Sequence, residues 1–197
     1  MIDLCLALLP LFAQEAKLFP DVHPSIFVGQ VWAESKCDTK AKLQTQRELG
    51  LGLGQFTTAY NADGSVRFDA AAEIRAKYRT ELADFKGEGL RDPRLGIRAL
   101  VLKDLTEWQV INGVPVPVER MAMVLGAFNG GGGAVRKDRM LCGNTPACNP
   151  ALWFGHVELT SYKSRVKWAG YGQSAFDINR AYPKKIFAQA LKYRSLV

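Results

Sequence analysis

Apolar residues recur at helical spacing through most of this 197-residue chain. The strongest pattern covers residues 93–111, where Ile97, Val101, Leu105 and Trp108 follow one another at intervals of three or four. Such a stripe predicts a helix with one face in the core. Similar amphipathic segments predict six further helices, at 3–17, 24–36, 70–86, 116–129, 158–169 and 183–195. The pattern therefore predicts a mostly α fold.

Two stretches interrupt this pattern. Residues 39–69 contain four glycines and the turn-forming sequence Asn61-Ala62-Asp63-Gly64, and residues 141–157 contain Pro146 and Pro150. Turn residues at this density predict irregular structure, and for 39–69 we expect a loop or small hairpin at the rim of a cleft. No repeat, low-complexity tract or linker divides the sequence, so we predict one domain over residues 1–197.

The composition is that of a basic globular protein. Hydrophobic residues make up 48% of the chain, which excludes a disordered chain. A net charge of +7 predicts a negative partner, such as nucleic acid, an anionic membrane or a carboxylate-rich polymer. The sequence has no zinc finger, helix-turn-helix register or RNA-binding aromatic motif, so we do not expect nucleic acid. The basic helix at 183–195 suits an anionic cell envelope, although a helix packed on the core has the same pattern.

The apolar residues 4–12 raise the question of a signal peptide. Asp3 precedes them and no Lys or Arg does, whereas a signal peptide begins with a basic segment. The run is also too short to cross a bilayer. We therefore expect an amphipathic first helix and no clear signal peptide.

Four cysteines leave the redox compartment open. Cys142 and Cys148 flank a short turn-forming loop that a disulfide could close, and free or buried thiols for these two, and for Cys5 and Cys37, fit the sequence equally. The two histidines, at 23 and 156, do not stand at zinc-finger spacing from the cysteines, so we predict no metal site.

Glu34 is the first candidate for chemistry. It follows Phe27 and Val31 by seven and three residues, so all three share one face of the predicted helix. Partial burial and the negative end of the helix dipole would both raise the pKa of this glutamate. A raised pKa is what a general acid needs to protonate a sugar leaving group near neutral pH. The alternative is a solvated glutamate at a helix end.

Four motifs follow one another along the chain, namely Glu34-Ser35, Gly52-Leu53-Gly54-Gln55, Ala127-Phe128-Asn129-Gly130-Gly131 and Ala181-Tyr182-Pro183. They resemble, in order, the motifs of the soluble-type lytic transglycosylases, members of the lysozyme-like superfamily. That family has a Glu-Ser pair, a Gly-Leu-Met-Gln turn, an Ala-Tyr-Asn-Ala-Gly segment and a late tyrosine. The run from Arg47 to Thr57 is similar to the phage and prophage endolysin branch. The resemblance covers nearly the whole chain and implies a lysozyme-like α+β fold.

The resemblance also implies a role for each matching residue. Glu34 corresponds to the single catalytic acid, and Ser35 to its partner in the family pair. Gln55 corresponds to a glutamine that lines the sugar cleft, Asn129 to a substrate-binding asparagine, and Tyr182 to a tyrosine that holds the catalytic carboxyl. The chain departs from the family at two motif positions, since Phe128 replaces a tyrosine and Gly54 a methionine.

The activity implied is cleavage of the β-1,4 bond between N-acetylmuramic acid and N-acetylglucosamine in peptidoglycan. Glu34 would protonate the leaving oxygen while the substrate's acetamido group stabilises the developing cation. Glu34 would then take a proton from the C6 hydroxyl, which closes a 1,6-anhydro ring without water. We expect no metal or organic cofactor.

A second carboxylate would change this outcome. Glu48 precedes the glycine run, and Asp63 and Asp69 follow it. If one of them held a water about 6.5–9.5 Å from Glu34, the protein would be an inverting lysozyme that hydrolyses the same bond. Otherwise Glu48 is a structural or acid-orienting residue. A non-enzyme alternative is a basic helical protein that binds membranes or nucleic acid.

These expectations define partners and location. The partner would be peptidoglycan glycan strands, with contact to the anionic envelope through the C-terminal helix, and we expect a monomer. A bacteriolytic endolysin of this kind would be made in the cytoplasm and act on the cell wall in the periplasm. Because no signal peptide is evident, we expect export through a separate pore.

Overall fold

The computed structural model describes residues 3–167 and 172–197 of the chain. Its helices are α1 (Leu9–Glu15), α2 (Ser25–Ser35), α3 (Ala70–Lys77), α4 (Pro93–Val110), α5 (Pro117–Gly130), α6 (Gly132–Gly143) and α7 (Ala175–Tyr193). Its strands are β1 (Lys42–Gln44), β2 (Glu48–Leu51), β3 (Phe56–Tyr60) and β4 (Val66–Asp69). The fold is mostly α with one small antiparallel sheet, which confirms the predicted mostly α class.

The chain forms two compact units. The first comprises the residues up to Lys103 together with Ile186–Val197, and the second comprises Asp104–Lys185. The prediction of one catalytic domain over residues 1–197 stays a prediction.

The first unit is built around α2, which is nearly all apolar. Phe27, Val28 and Val31 are fully buried, and Gly29 faces the part of α7 that begins at Ile186. A Cβ at Gly29 would lie 2.7 Å from the carbonyl oxygen of Ile186, so only glycine permits this close approach. The core of this unit therefore depends on α2 being small on one side and large on the other.

A buried ion cluster joins α1 to α4 in the same unit. Glu15 is 2% exposed, and its two carboxylate oxygens accept hydrogen bonds from Arg94 Nε at 2.8 Å and Arg98 Nε at 2.7 Å. Burial alone would raise the pKa of Glu15, but hydrogen bonds and charges from Arg98 and Arg94 hold it below its usual value.

Residues 39–69 fold into more structure than the predicted loop or small hairpin. The four strands form an antiparallel meander in the order β1-β2-β3-β4. Leu51 pairs with Phe56, so residues 52–55 form the turn between β2 and β3. The prediction underestimated this region because most residues of β1 and β4 are exposed and lack apolar alternation.

In the second unit, α5 supplies the core and a buried ion pair fixes the surrounding segments. Residues 121–127 of α5 are all buried, and Trp153 lies against Gly126. Arg180 pairs with Asp138 of α6 and donates to the carbonyl oxygens of Glu158 and Thr160, at 3.0 and 2.7 Å. This network holds the 157–160 segment without a helix of its own.

Several predicted boundaries were wrong. The helix predicted at 70–86 ends at Lys77, where Tyr78 leaves helical geometry. The helix predicted at 158–169 is absent from its described residues beyond a short 3-10 turn at Val157–Leu159, while residues 168 and 169 lie outside the described part. The predicted helix 183–195 begins at Ala175, with Pro183 inside it. Helix α6 was missed, and it occupies the start of the supposedly irregular 141–157.

Candidate functional site

Glu34 is the penultimate residue of α2 and is half-buried. Phe27 and Val31, which share its helix face, are fully buried, so the predicted placement of an acid on the core side of an apolar helix is confirmed. This environment separates Glu34 from the exposed glutamates of the first unit, such as Glu73 and Glu88.

The backbone turns sharply directly after Glu34. Lys36 and Cys37 both have left-handed backbone angles, with φ of 57° and 61°. Cys37 is bonded to Cys5 by a disulfide, and both cysteines are buried. The end of the helix is therefore fixed covalently three residues after the carboxylate.

Lys36 folds back over this helix end. Its Nζ donates to the carbonyl oxygen of Trp32 at 3.2 Å and lies 3.3 Å from the centre of the Trp32 ring, with Lys192 Nζ 5.8 Å from the same ring. A cation at a helix C-terminus offsets the negative end of the dipole. Of the two effects invoked for Glu34 from the sequence, burial is therefore the stronger.

Ser35 serves the helix itself. Its hydroxyl is buried and donates to the carbonyl oxygen of Val31 at 3.1 Å. The substrate-side role implied by the family pair stays a prediction, and the contact seen here stabilises the last turn of α2.

A run of hydrogen bonds connects the end of α2 to the glycine-rich turn. Asp38 N donates to the Ser35 carbonyl at 3.1 Å, and Ala41 N donates to the Asp38 carbonyl at 3.1 Å. The Ala41 carbonyl then accepts from Gly52 N at 3.0 Å and from Gln55 Nε2 at 3.2 Å. The structure therefore brings the first two motifs onto one framework.

Gln55 closes its own turn. It has a φ of 46°, and its Nε2 also donates to the Gly52 carbonyl at 2.8 Å. Both protons of its amide are thus given to backbone carbonyls, which leaves Oε1 as the group that can meet a ligand. The predicted contact with sugar stays a prediction that concerns this oxygen.

The glycines of this turn are required by the protein's own packing. Gly52 has a φ of 69°, and a Cβ there would collide with the carbonyl oxygen of Leu90. At Gly54 a Cβ would lie 2.6 Å from Cε2 of Phe56. We expected these glycines to admit a sugar ring, and the structure supplies an independent reason for them.

The other predicted carboxylates lie around the sheet. Glu48 is the first residue of β2 and is exposed. Asp63 accepts hydrogen bonds from the hydroxyl and the amide of Ser65, which lower the pKa of its carboxyl, and Asp69 caps α3 through Ala72 N at 2.9 Å. Asp63 and Asp69 thus have local structural partners.

The third motif ends α5 and opens α6 in the second unit. Asn129 is exposed, and its Oδ1 accepts from Nδ2 of buried Asn179 at 3.1 Å. Phe128 and Tyr182 stack in parallel, with ring centres 6.3 Å apart and an angle of 5° between the planes. The structure therefore brings Asn129, Phe128 and Tyr182 together in this unit.

Charged residues that sequence reasoning missed clasp the glycine run of this motif, residues 130–133. Lys163 Nζ donates to the Gly130 carbonyl at 3.0 Å, and burial lowers the pKa of this lysine although Asp138 opposes the effect. The carboxylate of Glu107 lies against Gly132. Only the glycines themselves signalled these contacts, because Lys163 and Glu107 are distant along the sequence.

The described part of the chain gives no indication of a metal site or a membrane span. Within it, no group of three or more His, Cys, Asp and Glu side chains is arranged to hold a metal. Its helices include none with the length and hydrophobicity needed to span a bilayer.

Comparison with known proteins gives no match: no protein-family model and no curated protein is similar to this chain. The assignment of function therefore depends on the residues and contacts described above.

Proposed function

We propose that this protein is a peptidoglycan lytic transglycosylase of the endolysin type, with a lysozyme-like fold and Glu34 as its catalytic acid and base. The observation that carries the proposal is the position of Glu34: a half-buried carboxylate at the end of an apolar helix, joined by hydrogen bonds to a glycine-rich turn. Partial burial favours the protonated carboxyl that a general acid requires.

In this mechanism, Glu34 donates its proton to the glycosidic oxygen between N-acetylmuramic acid and N-acetylglucosamine. The acetamido group of the substrate stabilises the cation, and the Glu34 carboxylate then removes the C6 hydroxyl proton. The C6 oxygen attacks C1 and forms a 1,6-anhydro end. Gln55 Oε1, Asn129 and Tyr182 would contribute to binding the glycan or orienting the acid.

The hydrolytic alternative has less support. An inverting lysozyme needs a carboxylate that holds a water opposite the acid. Asp63 and Asp69 are hydrogen-bonded within their own turns, and Glu48 is exposed at the start of a strand. We therefore propose the sole-acid route and treat hydrolysis as an outcome of the test.

The two disulfides support an oxidising site of action, because such bonds persist outside the reducing cytoplasm. This agrees with action on the cell wall in the periplasm. The net charge of +7 suits attraction to the anionic envelope.

Replacing Glu34 tests the proposal directly. Glu34→Gln keeps the shape of the side chain and removes its proton transfer, so solubilisation of purified peptidoglycan should fall by about 10²–10⁴-fold. Glu48→Gln is the matched control and should keep activity close to that of the unmodified protein. A Glu34→Gln variant with undiminished activity would refute the catalytic role and favour a non-enzymatic, membrane-binding protein.

A further inference from the structure

The carboxylate of Glu107 on α4 is not satisfied by the protein. The side chain is half-buried, and Oε2 is shielded from solvent without a hydrogen-bond donor among the described residues. Buried polar atoms in folded proteins nearly always have a partner, so an unpartnered carboxylate oxygen needs an explanation. A donor that comes from outside the chain would provide one.

Glu107 is held against the third motif by close packing. A Cβ at Gly132 would lie 2.7 Å from Oε1 and 2.8 Å from Cδ of Glu107, and still closer to Oε2. Glycine at position 132 is therefore required for the carboxylate to lie there. The backbone leaves room for an acceptor group beside the Asn129–Gly132 segment.

The neighbouring polar groups have their hydrogen bonds elsewhere. Lys163 Nζ donates to the Gly130 carbonyl, and Asn179 Nδ2 donates to Gly126 O at 2.9 Å and to Asn129 Oδ1. Because Oδ1 of Asn129 already accepts a hydrogen bond, Nδ2 is the donor that this exposed residue can offer. Glu107 and Asn129 thus present an acceptor and a donor on the same segment, a combination suited to sugar hydroxyl and amide groups.

We propose that Glu107 is a glycan-binding residue, whose carboxylate accepts a hydrogen bond from a hydroxyl or acetamido N–H of an N-acetylated glycan at the Asn129–Gly132 segment. This rests on the proposed function, since it names a further contact for the same class of substrate. Glu107 acts in binding and takes no part in proton transfer to the glycosidic oxygen.

Binding can be measured without cleavage in a Glu34→Gln background, with triacetylchitotriose as the probe in isothermal titration calorimetry. Adding Glu107→Ala should raise Kd about tenfold, which corresponds to about 1.4 kcal/mol. Adding Glu107→Gln, which keeps one acceptor oxygen, should raise Kd less. Glu73→Ala, at an exposed glutamate in α3, is the control and should leave Kd unchanged.

Thermal unfolding of the same variants separates binding from a structural role. Because Oε2 has no partner to lose, Glu107→Ala should not lower Tm. A fall in Tm together with the loss of affinity, in both the Ala and Gln variants, would assign Glu107 to structure and overturn the proposal. Unchanged affinity for the trisaccharide in Glu107→Ala would also overturn it.

Two further titrations complete the test. Cellotriose has ring hydroxyls but no acetamido group, so a loss of affinity with both trisaccharides indicates a hydroxyl donor and a loss with triacetylchitotriose alone indicates the acetamido N–H. If the Glu34→Gln parent binds no N-acetylated glycan, the proposed function itself fails. If the parent binds and Glu107→Ala binds equally, only the role of Glu107 fails.

Discussion

Gly52 and Gly64 show how much of the glycine-rich region is set by packing. Both have left-handed backbone angles, with φ of 69° and 82°, but only Gly52 is enclosed: a Cβ at Gly64 would meet nothing within 4 Å. Backbone strain is therefore common to the two positions, and contact with Leu90 is specific to Gly52. The pair allows the two effects to be separated.

Replacing each of these glycines by alanine should give unequal losses of stability. Gly64→Ala carries only the left-handed strain, about 1–2 kcal/mol. Gly52→Ala carries the same strain and overpacking of about 1–3 kcal/mol more, because Leu90 must move. Urea unfolding of the two variants measures the difference, and equal losses would show that the turn is not packed as described.

The polar residues of the first two motifs are used partly by the backbone. Ser35 donates to Val31, and Gln55 donates to Gly52 and Ala41. A motif residue can thus be required for the shape of a site without touching substrate. Sequence comparison alone does not separate these roles, because both restrict the residue type in the same way.

At the scale of elements, the Cys5–Cys37 disulfide defines where α2 ends and holds the segment after Glu34. The Cys142–Cys148 disulfide closes only a short loop after α6. The two bonds span 32 and 6 residues, so the longer one restricts the unfolded chain more.

Removing each pair of cysteines with serine should reveal this difference. The chain-entropy relation gives losses of about 4 kcal/mol for Cys5–Cys37 and about 2 kcal/mol for Cys142–Cys148. Peptidoglycan-solubilising activity at a temperature where both variants are folded should fall more for the first pair, since it is attached next to Glu34. Equal activity in both variants would contradict a positioning role for Cys5–Cys37.

The Glu15 cluster between α1 and α4 predicts a loss of stability in acid. Because its pKa is lowered in the folded state, Glu15 contributes stability above its unfolded value near 4.5, and this is lost as the pH falls further. Between pH 5 and 3, urea unfolding should therefore show a smaller decrease in stability for Glu15→Gln than for the unmodified chain. Glu73→Gln should match the unmodified chain, and parallel curves for all three would refute the assignment.

The comparison of predicted and observed helices shows what the sequence pattern can reveal. Helices α2, α4 and α5 lie within two residues of prediction because their apolar faces are continuous. Helix α6 was missed because its buried face contains Asp138, whose partner Arg180 is distant along the chain. The helix expected at 158–169 failed because Arg180 satisfies the carbonyls of that segment instead.

The same reasoning applies to the candidate site. Glu34 was found because it follows an apolar helix, a local signal that the structure retains. Glu107 and Lys163 were missed because their contacts with the glycine run depend on tertiary structure. Residues that share a helix turn can be predicted from spacing, whereas those joined by the fold cannot.

At the scale of the whole molecule, the basic charge and the two units fit an enzyme that works on an anionic polymer. The second unit contains ten Lys and Arg and six Asp and Glu residues, so it carries +4 of the total of +7. Two of those acids, Asp138 and Glu158, are paired with Arg180 and Lys184. Long-range attraction to the cell wall would therefore weaken as salt is added.

The central claim is that Glu34 alone serves as acid and base, so that the substrate's own C6 hydroxyl completes the reaction. Mass spectrometry of the fragments released from purified cell walls tests this most directly. We predict 1,6-anhydro ends, each lighter by one water molecule than a reducing end, and no release by Glu34→Gln. Fragments with reducing ends would contradict the account, because they require a water activated by another group such as Glu48.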